Sequence, residues 1–140
     1  MSETLREIIP GLWVSDAESA AIVGDDFSLV IDCTGYGPTV GNSRTLSVVA
    51  NGHKWDAASL TQIANLASMR LDNGGNVLIH CNRGISRSVC AAAAVLIRMG
   101  TASTVTEAIG MARWSERSPA SVTVGSLNRW ADALRQQNLF

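Results

Sequence analysis

Short β-rich runs along the chain are interleaved with longer stretches whose apolar side chains recur every three to four positions. That alternation predicts strands interleaved with helices. Glu7-Ile-Ile9 and Leu12-Trp-Val14 read as short strands separated by the turn pair Pro10-Gly11. Asp16 stands where an N-cap is expected, ahead of a short helix through Ile22. Ser28 to Cys33 is bounded by Gly24-Asp-Asp26 and Thr34-Gly-Tyr-Gly-Pro38 and reads as a buried central strand. A glycine-rich loop to Asn42 follows, and Arg44 to Val49 is another strand.

Residues 56–71 carry a helical stripe of Leu60, Ile63, Ala64, Ala67 and Leu71, stopped by Asn73-Gly-Gly75. Asn76 to His80 is a strand, Cys81 to Arg87 a tight loop, and Ser88 to Met99 a helix ended by Gly100. Thr104 and Glu107 have the spacing of a capping box, opening a helix to about Trp114. After Pro119 a last helix places Val124, Leu127, Ala131 and Leu134 on its core face. Strands mixed with helices, then helices only, predict an α/β fold with a central mixed sheet covered by helices. At 140 residues the chain is one domain, 1–140.

Composition narrows the function. The chain is 46% hydrophobic and 16% charged, enough apolar material for a buried core. Eleven basic residues against twelve acidic ones leave a net charge of −1, so no global field favours nucleic acid or an anionic membrane. The run from Cys90 to Ile97 is far too short to span a bilayer and is closed by Arg98. Residues 1–7 lack the apolar core of a signal peptide, which makes a cytoplasmic location the expectation. Cys33, Cys81 and Cys90 fit neither a disulfide scaffold nor a zinc site, so neither metal nor cofactor is expected.

The chemistry concentrates in Val77-Leu-Ile-His-Cys-Asn-Arg-Gly-Ile-Ser-Arg-Ser-Val-Cys90, a strand, a loop and the start of a helix. A loop at a helix N-terminus points several backbone N–H groups at one centre, and the helix dipole adds positive potential there. Five residues between Cys81 and Arg87 allow the loop to wrap a tetrahedral oxyanion, with Gly84 supplying a turn that a side chain would crowd. Arg87 on the first helical turn can fork two phosphoryl oxygens. The same field acts on the thiol: helix N-termini lower a cysteine pKa from ~8.5 to about 3.5–7.5, so Cys81 is expected to be a standing nucleophile. Ser88 can hydrogen-bond its sulfur and help it leave a phosphocysteine.

This segment resembles the cysteine-dependent protein phosphatases, specifically their small dual-specificity branch. The resemblance is densest from Val77 to Met99 and extends more weakly to Ile9-Pro-Gly-Leu-Trp-Val14, Glu107-Ala-Ile109 and Arg117-Ser-Pro119. It implies the tyrosine-phosphatase-like fold, with a largely parallel sheet of about five strands. It also implies that Cys81 is the nucleophile, Arg87 the phosphate clamp and Ser88 the leaving-group helper. Asn82, Arg83, Gly84, Ile85 and Ser86 form the phosphate cradle with Arg87, and His80 orients the loop. The implied activity is hydrolysis of phosphotyrosine and phosphoserine/threonine through a phosphocysteine, by a monomer acting on a phosphorylated protein or a small phosphoester.

One departure stands out. The family's general acid is an Asp on the loop after the strand placed at 44–49, where this chain has Ala50 and Asn51. Neither can protonate a leaving group. His53 and Asp56 are the nearest substitutes, and Asp56 is the one carboxylate between Asp32 and Asp72. It is taken as the general acid, alongside the alternative that it caps the helix that follows. The departure motivates a second reading, a phosphate-binding pseudophosphatase, and a phosphatase of non-protein phosphoesters is a third. Cys90 reads as a small core residue. Cys33 reads as core too, or as a redox partner of Cys81: if the sheet order matches the family, the strands ending at Cys33 and His80 run parallel and bring both cysteines to one edge. Trp13, Trp55, Trp114 and Trp130 read as packing residues.

Overall fold

The computed structural model describes residues 4–34, 46–49, 57–82, 87–113, 125 and 127–132. The elements run β1 (Arg6–Ile9), β2 (Leu12–Ser15), α1 (Ala17–Val23), β3 (Leu29–Asp32), β4 (Leu46–Val49), α2 (Ala57–Asp72), β5 (Val77–His80), α3 (Arg87–Arg98) and α4 (Val105–Ala112). Residues 127–132 are helical as well. The five strands form one sheet in the order β1-β2-β5-β3-β4, with β1 antiparallel to β2 and every other neighbouring pair parallel. This is the α/β arrangement that the pattern of strands and helices implied. β5, whose four residues are all buried, lies at the centre, and β3, the strand expected there, is its neighbour, buried between β5 and β4.

The register places Leu12, Val77 and Leu29 in one row and Val14, Ile79 and Ile31 in another. These rows pack with Leu60, Ile63, Ala64 and Ala67 of α2 and with α3 in the main core. The intervening row of Leu78 and Val30 faces the other way, into a smaller cluster with Ala20 and Phe27, against which Trp13 packs. The Trp13 and Phe27 rings meet edge to face, centroids 6.2 Å apart.

α3 is buried along its length from Ser88 to Ile97. A helix covered on all sides needs apolar residues all round, and it packs against β2, β5, α2 and α4. Its run from Ala91 to Ala94 lets those neighbours approach closely. A larger side chain there would cost about 1–3 kcal/mol in strain.

Local signals set most boundaries. Asp16 caps α1 by accepting the Ser19 N–H at 2.7 Å. Thr104 caps α4 by accepting the Glu107 N–H at 3.1 Å. The Glu107 carboxylate returns to the Ser103 N–H at 3.4 Å, one residue upstream of where a capping box closes. Gly100 (φ 76°) ends α3 in a Schellman turn, with Thr101 N–H donating to Leu96 C=O and Gly100 N–H to Ile97 C=O.

Several helix ends differ from the sequence reading by a residue or two, α1 ending at Val23, α2 at Asp72 and α3 at Arg98. α3 begins at Arg87, one residue before Ser88, and α4 stops at Ala112 because Arg113 is extended (ψ 147°). Leu127 and Ala131 of the expected last helix are buried, joined by Trp130, whose indole N–H donates to Thr61 Oγ1 at 2.9 Å. Val124, Leu134, Trp114 and the segment Arg117-Ser-Pro119 lie outside the described residues, as do Arg44 and Thr45.

Candidate functional site

Cys81 is the first residue past the carboxyl end of β5, and α3 starts six positions later. Parallel strands flank β5 on both sides. Their carboxyl ends and the N-terminus of α3 therefore share one edge, where open α/β sheets place their ligands. The Cys81 thiol is 2% exposed, and its Sγ lies 3.2 Å from the Oγ of fully buried Ser88 in the first turn of α3. That pair sits at the positive end of the helix dipole, which favours a thiolate and any anion bound above it. Asn82 is tied down from the opposite side: its carbonyl accepts the Ala17 N–H at the start of α1, at 3.2 Å.

Arg87 opens α3 and reaches across to the end of β3. Its Nη1 faces the carbonyl oxygens of Cys33 at 3.5 Å and Thr34 at 3.4 Å. The end of β3 is held in turn by β5, since Cys33 N–H donates to His80 C=O at 2.7 Å. The cradle residues Arg83, Gly84, Ile85 and Ser86 lie outside the described residues. So does the loop carrying Ala50, Asn51, His53, Trp55 and Asp56. Of the residues singled out from sequence, the structure brings together His80, Cys81, Asn82, Arg87, Ser88 and Cys33 at one sheet edge.

One residue before Cys81 a polar row, Ser15, His80 and Asp32, runs in register across β2, β5 and β3. His80 is fully buried, its Nε2 3.9 Å from Asp32 Oδ2, and neither ring nitrogen makes a hydrogen bond. Burial holds the imidazole below its ordinary pKa, with Asp32 and then Asp16 acting in the opposite direction. Asp32 itself is 1% exposed, and its Oδ1 accepts both the N–H (2.8 Å) and the hydroxyl (2.5 Å) of Thr34.

The cysteines differ sharply in environment. Burial pushes Cys33 well above the ordinary thiol range, with Cys81, Asp32 and Cys90 adding to the rise and Arg87 opposing it. Burial alone pushes Cys90 up to about 12, in keeping with a core residue. A second cation, absent from the motif, lies within electrostatic range of Cys81. Arg6 of β1 donates from Nη2 to Ala112 C=O at 2.8 Å and from Nη1 to Thr4 C=O at 2.6 Å. Burial lowers its guanidinium to about 10, while the Cys81 thiolate works to raise it.

Asp32, Thr34 and Arg6 were missed by sequence reasoning. For Asp32 a signal existed: it is the one charged residue in the otherwise apolar stretch Leu29-Val-Ile-Asp-Cys33. Arg6 carried none, because β1 joins β5 only through β2 and nothing in the local sequence ties it to Cys81.

No family model matches the chain, and no curated protein matches it in sequence. Solved structures do match, over nearly the full length. Human DUSP28 is 16% identical with a TM-score of 0.81, covering 96% of this chain and 97% of that one. A human tyrosine phosphatase-like serine/threonine/tyrosine-interacting protein is 20% identical at TM-score 0.75, covering 94% and 97%. PTPMT1, in a complex with PI(5)P, is 18% identical at TM-score 0.74, covering 96% and 98%. At these identities the shared property is the fold, which is that of the small dual-specificity phosphatases.

Proposed function

We propose that the chain is a cysteine-dependent phosphatase that hydrolyses phosphomonoesters of tyrosine and of serine or threonine. The observation that carries this reading is the Cys81–Ser88 pair, 3.2 Å apart at the N-terminus of α3 with Arg87 in the same turn. A buried thiol beside a hydroxyl, a helix dipole and a guanidinium is the arrangement that nucleophilic displacement at phosphorus needs.

In the first step the Cys81 thiolate attacks phosphorus in line with the leaving oxygen. Arg87 and the backbone N–H groups of residues 82–86 bear the charge on the equatorial oxygens. The P–O bond breaks, Asp56 gives its proton to the departing oxygen, and a phosphocysteine remains. In the second step a water attacks phosphorus, its proton goes to Asp56, and the sulfur leaves as a thiolate that the Ser88 hydroxyl stabilises by donating to Sγ. His80, locked in β5, holds the start of the loop.

The same fold supports a binder of phosphorylated groups without turnover, and Ala50 and Asn51 at the family's acid position favour that second reading. Hydrolysis of p-nitrophenyl phosphate separates them. We expect turnover in the wild type and none in Cys81→Ser, with tungstate binding retained in the variant. Wild-type protein that binds tungstate but does not turn over leaves the binding reading. Turnover that survives Cys81→Ser refutes the phosphocysteine.

A further inference from the structure

Arg87 is a long side chain that must present a planar fork to an oxyanion, and the end of β3 supplies two of the acceptors that it meets. Nη1 is shared between the Cys33 and Thr34 carbonyls at 3.5 and 3.4 Å. These contacts are long for hydrogen bonds, and they engage one of the two terminal nitrogens in a group with five N–H donors. Contacts of this length can steer the guanidinium without binding Nη1 tightly.

The two carbonyls are aimed by what lies beneath them. Past Asp32 the ladder continues for one bond, from Cys33 N–H to His80 C=O, and the Asp32 carboxylate then holds Thr34. Its Oδ1 takes the Thr34 N–H at 2.8 Å and the Thr34 hydroxyl at 2.5 Å. Cys33 is pinned independently through its N–H to His80 C=O at 2.7 Å. Asp32, Cys33 and Thr34 are 1%, 0% and 4% exposed, so water does not compete for these bonds. The other carboxylate oxygen faces His80 Nε2 at 3.9 Å.

We infer that Asp32 is a positioning residue for Arg87: by holding the Cys33–Thr34 turn it aims the two carbonyls that steer the guanidinium at the sheet edge carrying Cys81. The role rests on the phosphate-site reading above and deepens it. It requires acceptor geometry at Oδ1 rather than negative charge. An amide oxygen at the same place serves, and the amide nitrogen would then donate toward His80 Nε2.

The test is tungstate binding by isothermal titration on the reduced full-length chain. It is paired with the ratio of Cys81 alkylation rates by iodoacetate and by iodoacetamide, because a correctly placed guanidinium draws in the anionic reagent selectively. Asp32→Ala is expected to weaken tungstate binding about tenfold and to lower the alkylation ratio, since even small misplacement of an Arg clamp is costly. Asp32→Asn is expected to restore both to within about threefold of wild type. A buried residue that merely supported the fold would shift the melting midpoint and leave both readouts alone.

Should Asp32→Ala fail to fold, Thr34→Val removes one of the two Oδ1 bonds at nearly constant volume and is expected to weaken tungstate binding by about threefold. Wild-type affinity in the folded Asp32→Ala or Thr34→Val chain overturns the inference, as does an Asp32→Asn chain as impaired as Asp32→Ala. If tungstate binding is lost in Arg87→Ala but kept in Asp32→Ala, this inference alone fails. A wild-type chain that does not bind tungstate at all removes the phosphate-site reading with it.

Discussion

Mild peroxide treatment tests whether Cys33 traps oxidised Cys81. β3 and β5 pair in parallel up to Asp32 and His80, and the Cys33 N–H to His80 C=O bond carries that ladder one step further. The two cysteines are thus the next residues along adjacent strands, which lie about 4.8 Å apart. That spacing falls inside the ~4.4–6.8 Å range of Cα separations that disulfides accept. Both belong to the same buried cluster. Peroxide would convert the Cys81 thiolate to a sulfenic acid with loss of hydroxide. Attack by the Cys33 sulfur then forms the S–S bond, and the sulfenic oxygen departs as water. The raised pKa of Cys33 makes this attack slow. Oxidation of Cys81 to a neutral sulfenic acid removes one cause of that rise.

The bond would close a loop of ~48 residues, for which the chain-entropy relation gives about 4 kcal/mol of stabilisation before strain. At roughly 4 °C per kcal/mol for a domain of this size, the upper limit is a rise of ~15 °C in melting midpoint. We expect peroxide-treated protein to lose two hydrogens in non-reducing mass spectrometry, to melt higher, and to recover activity with dithiothreitol. Under further peroxide, Cys33→Ser lacks the thiol that traps the sulfenic acid, so Cys81 is expected to pass on to the sulfinic acid and lose activity irreversibly. Full recovery of Cys33→Ser, or a peptide map joining Cys81 to Cys90 instead, would refute the reasoning.

Asp56→Asn is expected to slow hydrolysis of phosphotyrosine by about 10²–10⁴ while sparing an ester with a very acidic leaving group, because only a poor leaving group needs the proton. Equal, small losses on both esters would return Asp56 to a helix-capping role. Thr61→Val leaves the indole N–H of Trp130, a residue 1% exposed, without its acceptor. It is expected to cost about 1–3 kcal/mol in urea denaturation, with Thr61→Ser near wild type. His80 is held neutral by burial, so below its ordinary pKa of about 6.5 the unfolded chain binds a proton that the native chain resists. Stability at His80 is therefore present above that pH and lost as pH falls toward the depressed native value. Urea midpoints should drop between neutral and mildly acidic pH more steeply in wild type than in His80→Gln, and parallel profiles would contradict this.

Whatever depends on neighbours in the chain was legible before the fold was known. The Asp16 and Thr104 caps, the stop at Gly100, the strand Val77–His80 and the Cys81-to-Arg87 spacing all act over a few residues, where propensity and hydrogen bonding are set by local identity. The placement of Ser88 beside Cys81 follows from the same logic, since a strand, a short loop and a helix leave that hydroxyl few other positions. Strand pairing is different, because it joins residues far apart in sequence and its register is chosen by burial across the whole sheet. Only the tertiary structure could put Asp32 beside His80, fold Thr34 under Arg87, bring Arg6 within electrostatic reach of Cys81 and set Cys33 one rung past the β3–β5 ladder. The residues that carry the proposed chemistry are written in one continuous motif. The residues that orient and tune them come from other strands, brought there because each apolar row of the sheet had to face a core.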